Sequence, residues 1–210
     1  MNPIVFFDYA GIAVFAATGA LAASRKELDI VGFLFFAGVT AIGGGTLRDI
    51  VLDAPVFWVQ NTDYLIVPAV VAVAVFFTAH LFESRYKLLL WLDAVGISAY
   101  GVFGAWKGLT LTGSPLVAVV MGVLTATFGG VLRDVLAGEQ CVLLRPEVYV
   151  TAVLAGASVY TIAAVFGVEL FLAALLGFAA AFAIRGGALR FGWSIPPYRS
   201  RPGRAPEDIP

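Results

Sequence analysis

The chain is poor in the residues that make chemistry. It has one cysteine and one histidine in 210 residues, and only 13% of it is charged. A lone cysteine, Cys141, allows no intrachain disulfide and gives no basis for dithiol redox work. A lone histidine, His80, excludes His-rich metal sites and H-E-x-x-H chemistry, and its position suits a membrane interface. No nucleophile–base set or metal-ligand cluster stands out, so the sequence does not read as an enzyme. No Lys or Arg precedes the first apolar run, which therefore lacks the basic region of a cleavable signal and is expected to stay. A soluble domain carries roughly 25% charged residues, nearly twice the fraction here. The hydrophobic share is 60% and the mean hydropathy +0.94, the composition of an integral membrane protein.

Seven apolar segments are long enough to span, given the ~20 residues a bilayer requires. They cover about 4–23, 30–53, 64–82, 88–106, 115–137, 148–166 and 170–189. The runs are continuous rather than alternating, which predicts an all-α membrane protein and not a barrel. Connections are short, so residues 1–193 read as one transmembrane domain. Asp53-Ala54-Pro55 ends the second segment, Ser114-Pro115 caps and opens the fifth, and Pro146 opens the sixth. Residues 194–210 are rich in Pro and Arg and read as a disordered cytoplasmic tail.

One stretch organises the rest: Thr40-Ala41-Ile42-Gly43-Gly44-Gly45-Thr46-Leu47-Arg48-Asp49. It returns 85 residues later as Thr125-Ala126-Thr127-Phe128-Gly129-Gly130-Val131-Leu132-Arg133-Asp134, identical at seven of ten positions. At the same offset Asp8 matches Asp93, Gly11 matches Gly96, Gly19 matches Gly104 and Tyr64 matches Tyr149. Two repeats follow, about 4–83 and 88–167, with an extra helix at 170–190. Each repeat holds three segments. Three is odd, so the second must enter the membrane from the opposite side, as an inverted repeat. Ten Lys/Arg, among them Arg25, Arg85, Arg145 and Arg185, fall on one side against Lys107 on the other. The basic side reads as cytoplasmic, with the N-terminus outside and the C-terminus inside.

Consecutive glycines beside intramembrane charges predict that segments two and five are broken near their middles. The carbonyls freed at Ile42 and Gly43, and at Thr127 and Phe128, would suit a desolvated monovalent cation, with the Thr40 and Thr125 hydroxyls one turn away. The amide ends of the following half-helices would suit an anion, so the breaks alone leave the sign open. Gly43, Gly44, Gly45, Gly129 and Gly130 are read as functional; Gly11, Gly19, Gly96, Gly104 and Gly156 as packing residues. Adjacent Arg and Asp point about 100° apart on a helix, which predicts cross-pairing of Arg48 with Asp134 and of Arg133 with Asp49. Asp8 and Asp93 would line a vestibule or serve as alternative partners. Lys107, after Trp106, reads as an interfacial snorkelling charge or as a voltage-responsive one.

The doubled Gly-Gly-x-Leu-Arg-Asp motif, on a plan of two threes plus one, resembles the prokaryotic branch of the trimeric intracellular cation (TRIC) channels. The resemblance runs to about Trp193. It implies a homotrimer in the bacterial inner membrane, with a pore in each protomer lined by helices two and five. It implies potassium-permeable conduction, with sodium as an alternative ion, and no cofactor and no metal beyond the permeant ion. The partners implied are membrane lipids and further copies of the chain, not nucleic acid or a soluble protein. Bacterial members also carry the name glycine transporter, and a carrier for a small neutral amino acid such as glycine is the second reading. No counterpart of the basic phosphoinositide-binding segment of animal members is present. Phe128 stands where the first repeat has Gly43, so the two stretches are not equivalent.

Overall fold

The structure, a computed structural model, describes residues 3–82, 84–196 and 198. Eight α-helices follow in order: α1 (Pro3–Arg25), α2 (Ile30–Val51), α3 (Phe57–Gln60), α4 (Asp63–Thr78), α5 (Arg85–Thr112), α6 (Pro115–Leu136), α7 (Val150–Val165) and α8 (Leu170–Phe191). Among the described residues there is no strand, only an isolated bridge between Glu147 and Ser194. α2, α5, α6, α8 and the stretch Asp63–Leu81 are long and apolar enough to cross a membrane. α7 is apolar and shorter, at 16 residues. The seven segments correspond to the seven longer helices. The short α3 falls between two of them, in the apolar run Val56-Phe57-Trp58-Val59, which is too short to span.

Helix ends follow their sequence signals. Asp29 caps α2 by accepting from the Gly32 amide, and Ser114 caps α6 by accepting from the Val117 amide, with Pro115 at the first position. Ser84 caps α5, which starts three residues before the apolar run, and Gly113 in the left-handed conformation stops it. Pro146 does not open a helix. α7 starts at Val150, and Pro146 lies in the connection, where its carbonyl accepts from the Ile195 amide at 3.1 Å. Ser194 and Ile195 are therefore docked on that connection and do not begin a disordered tail. Residues 197 and 199–210 of that tail lie outside the described residues.

α2 and α6 are continuous helices, and this corrects the expectation of two breaks. The reason is a close crossing. A Cβ on Gly44 would stand 2.1 Å from the Thr125 carbonyl oxygen, and one on Gly129 would stand 2.3 Å from that of Thr40. Glycine here removes side chains so that two backbones touch, as small residues do between membrane helices. These contacts run antiparallel, Thr40 with Gly129 and Gly44 with Thr125. α1 and α5 cross in the same sense. A Cβ on Gly11 would meet the Tyr100 ring at 2.4 Å, and one on Gly96 would meet the Phe15 ring at 3.2 Å. Every one of these contacts recurs at the offset of 85.

Candidate functional site

Arg48 and Arg133 sit in the last turns of α2 and α6, where the helix dipole favours a cation. Both are 1% exposed. A charge so placed is costly unless it is paired and hydrogen-bonded. Each arginine pairs within its own half. Nε of Arg48 donates to Oδ1 of Asp49 at 2.7 Å, and Nε of Arg133 donates to Oδ1 of Asp134 at 2.9 Å. The expected cross-pairs do not form. The antiparallel register sets Arg48 level with Met121, twelve residues from Arg133, a separation of about 18 Å along the helix. The argument from helix angle fails because the arginine side chain is long enough to bend back onto its neighbour.

The second carboxylate oxygen does equal work in each half. Oδ2 of Asp49 accepts from the Phe57 amide and Oδ2 of Asp134 from the Val142 amide, both at 3.0 Å. Their backbone carbonyls accept from the amides of Ala54 and Glu139, both at 2.9 Å. Each aspartate thus ties down the turn that follows its helix. The turn needs a residue at positive φ, and the halves supply Asp53 (φ 50°) and Gly138 (φ 61°) at matched positions.

The remaining partners differ. Arg133 also donates from Nη1 to Oδ1 of Asp93 at 2.8 Å, the alternative pairing foreseen for that aspartate. Asp8, its match, is buried and faces the Tyr64 hydroxyl. The guanidinium of Arg48 lies over Phe103 at 5.0 Å and Phe57 at 5.8 Å instead. Lys107 is not a free interfacial charge. Its Nζ donates to Oδ1 of Asp49 at 2.8 Å, and its side chain is 20% exposed.

Between the two charge clusters lie buried aromatic and threonine side chains. Phe15 and Tyr100 meet at matched positions, ring centroids 5.2 Å apart, and both are buried. The Tyr100 hydroxyl donates to the Ala41 carbonyl at 3.1 Å. Thr40, Thr125 and Thr127 are buried on the same helices, Thr125 and Thr127 donating to carbonyls one turn back. Ile42, Gly43 and Phe128 are not gathered with them. They border a half-exposed apolar pocket of about 320 Å³ together with Leu132 and Trp58. Gly45 and Gly130 lie beneath different covers, the Phe57 ring and the Tyr149 hydroxyl. Sequence reasoning missed Phe57, Tyr100 and the depth of Arg185. The offset of 85 pairs Tyr100 with Phe15 and Phe57 with Val142, and that was the available signal.

A profile described as "Glycine transporter" matches the chain twice, at residues 5–80 and 90–165. The chain is 40% identical over 200 residues to a UPF0126 membrane protein of Vibrio cholerae, covering 93% of this chain and 82% of that one. It is 38% identical to the UPF0126 inner membrane protein YadS of Escherichia coli, covering 93% and 96%. Among solved structures, the TRIC trimeric intracellular cation channel orthologue from Rhodobacter sphaeroides superposes with a TM-score of 0.89 at 49% identity, over 92% of this chain and all of that one. Doubled motif, doubled profile match and superposition agree: the chain belongs to the prokaryotic branch of the trimeric intracellular cation (TRIC) channel family.

Proposed function

We propose that the protein is a homotrimeric, potassium-permeable channel of the bacterial inner membrane, with one path in each protomer beside the α2–α6 crossing. The observation that carries this reading is the pair of buried charge clusters about 18 Å apart, one toward each end of the crossing. Intramembrane ionisable groups mark ion pathways by default. Arg48, Asp49, Lys107 and Asp8 would line one mouth, and Arg133, Asp134 and Asp93 the other. Thr40, Gly44, Gly45, Thr125, Thr127, Gly129 and Gly130 would bound the narrow middle. Ile42, Gly43 and Phe128 face the apolar pocket and have a weaker claim. The relative from Rhodobacter sphaeroides, described as a trimeric cation channel, supports both the activity and the assembly.

In this reading all seven longer helices cross the membrane, as two inverted triplets plus α8. The antiparallel α2–α6 and α1–α5 contacts support the inversion. Orientation rests on the basic residues. Arg25 and Arg145 flank the Tyr86 ring, and Arg85 donates to the Ser24 carbonyl, so one end collects them while Lys107 is remote. That end is cytoplasmic, with the N-terminus outside. Lys107, partly exposed on Asp49, is the voltage-responsive candidate, since one charge moved across the membrane is worth about 2.3 kcal/mol per roughly 100 mV.

A carrier for glycine is the competing reading, because a closed crossing between matched halves also suits alternating access. Flux in reconstituted vesicles separates the two. The channel reading expects potassium flux that does not saturate and no glycine counterflow. Saturable glycine counterflow without potassium flux would reject it.

A further inference from the structure

Arg185 belongs to α8, outside both matched halves, and is fully buried. Its Nη2 stands 2.9 Å from Oε2 of Glu147, its Nη1 donates to the Val148 carbonyl at 3.2 Å, and its guanidinium lies over the Tyr149 ring at 5.1 Å. One side chain therefore meets three consecutive residues of the α6–α7 connection. Tyr149 carries the contact inward. Its hydroxyl stands over Gly130 beside Asp93 and Arg133. The other end of the connection is held by Asp134, through the Val142 amide. The segment after α8 returns over the same connection, with the Ile195 amide on the Pro146 carbonyl and Ser194 bridged to Glu147. A cavity of about 400 Å³, bordered by Arg185, Glu147 and Trp193, separates the end of α8 from the connection.

The first half is built otherwise. Tyr64, the match of Tyr149, stacks on Tyr9 at 4.7 Å and meets Phe57 edge-on at 4.9 Å. Among the described residues no arginine from a further helix reaches it. The clamp is a feature of one mouth alone.

We infer that Arg185 is a positioning residue for the permeation path. It locks the α6–α7 connection against α8 and so fixes the spacing of Tyr149, Asp93 and Arg133 at that mouth. This rests on the channel reading above. Arginine suits the task because Nη1 donates to a backbone carbonyl while Nη2 stands by the Glu147 carboxylate as an ion pair, whereas lysine offers a single point charge. Loss of the clamp releases the connection as a local opening rather than a global one, because α6 and α7 keep their own packing.

Cys141 is a built-in reporter, being the only thiol and buried at the start of the connection. The test measures two quantities on the full chain in liposomes: the rate at which a small water-soluble maleimide labels Cys141, and the unitary potassium conductance. Arg185→Met is expected to speed labelling about tenfold, with Arg185→Lys and Glu147→Gln intermediate. Conductance should shift in the same order, by about twofold or more for Arg185→Met. If Arg185→Met does not fold, the two milder variants decide. Unchanged labelling in folded Arg185→Lys and Glu147→Gln overturns the clamp. Faster labelling with unchanged conductance overturns the positioning role and leaves a structural tie. If the wild type conducts no potassium, the channel reading fails, and labelling alone still decides the clamp.

Discussion

Arg133 holds two carboxylates, Asp93 and Asp134, whereas Arg48 holds Asp49 alone and shares it with Lys107. The matched sequence does not predict this difference, since arginines and aspartates are identical at every one of these positions. The cause lies one step out. Where the second half has Val142, the first has Phe57, whose ring covers Gly45. Over Gly130 no ring intrudes, and the Tyr149 hydroxyl, Asp93 and Arg133 meet there instead. A large ring in one half thus separates an ion pair that its absence permits in the other. The second cluster also has Arg185 of α8 against its Tyr149, while the first has the partly exposed Lys107 on Asp49. On the channel reading proposed above, the second half is the fixed frame and the first is the half whose charges move.

The comparison breaks most readily at the arginines. Arg133→Met strands two buried carboxylates and should lower stability by about 3–5 kcal/mol. Arg48→Met leaves Asp49 with Lys107 and should lower it by at least about 1 kcal/mol less. Thermal unfolding of the detergent-solubilised oligomer reads both, and equal losses would abolish the asymmetry. A double-mutant cycle of Arg48 with Asp134 should be additive within about 0.5 kcal/mol, because the two lie far apart.

The glycine crossing comes next, and here the halves should behave alike. Gly44→Ala and Gly129→Ala each drive a methyl into a backbone carbonyl and should cost about 1–3 kcal/mol. Gly43→Ala meets only the tip of Leu132 and should stay within about 0.5 kcal/mol. The same unfolding assay distinguishes them. A harmless Gly44→Ala would mean that the helices do not touch there.

The exchange at position 57 sharpens the comparison. Phe57→Val removes the ring and should let Arg48 turn to Asp8, as Arg133 turns to Asp93. In that background a cycle of Arg48 with Asp8 should show coupling of about 1 kcal/mol, absent when Phe57 is present. Coupling of equal size in both backgrounds would clear the ring of blame.

The smallest effect is at Glu169, outside the matched halves. Its carboxylate accepts from the Phe171 and Leu172 amides at the start of α8, and those bonds hold its pKa below the ordinary carboxylate value. A depressed carboxylate adds stability above its ordinary range and loses it as pH falls through the lowered value. The melting difference between wild type and Glu169→Ala should therefore shrink from neutral to strongly acidic pH. A difference that does not change with pH would mean that the cap works without its charge.

Hydropathy made the helices legible, and the offset of 85 marked the matched residues that meet in the α2–α6 and α1–α5 contacts. Those features depend on burial and on short local text. The pairing of the charges was not legible. Which carboxylate Arg48 reaches depends on how far a flexible side chain bends and on a ring nine residues away, and neither appears in periodicity. The triple glycine misled for a related reason. Low helix propensity is a weak local prior, and a tight crossing of two long apolar helices overrides it. Arg185 was visible only as a charge near a helix end, because its contacts with Glu147, Val148 and Tyr149 are a tertiary fact.

The most direct measurement is single-channel recording of the purified wild type and Lys107→Met, side by side in bilayers under a potassium gradient. The account predicts unitary steps that reverse toward the potassium equilibrium potential, and a changed voltage dependence of opening in Lys107→Met with the step size retained. Silent bilayers with saturable glycine counterflow would contradict the channel. Identical voltage dependence in the two proteins would contradict the assignment of the first half as the one that moves.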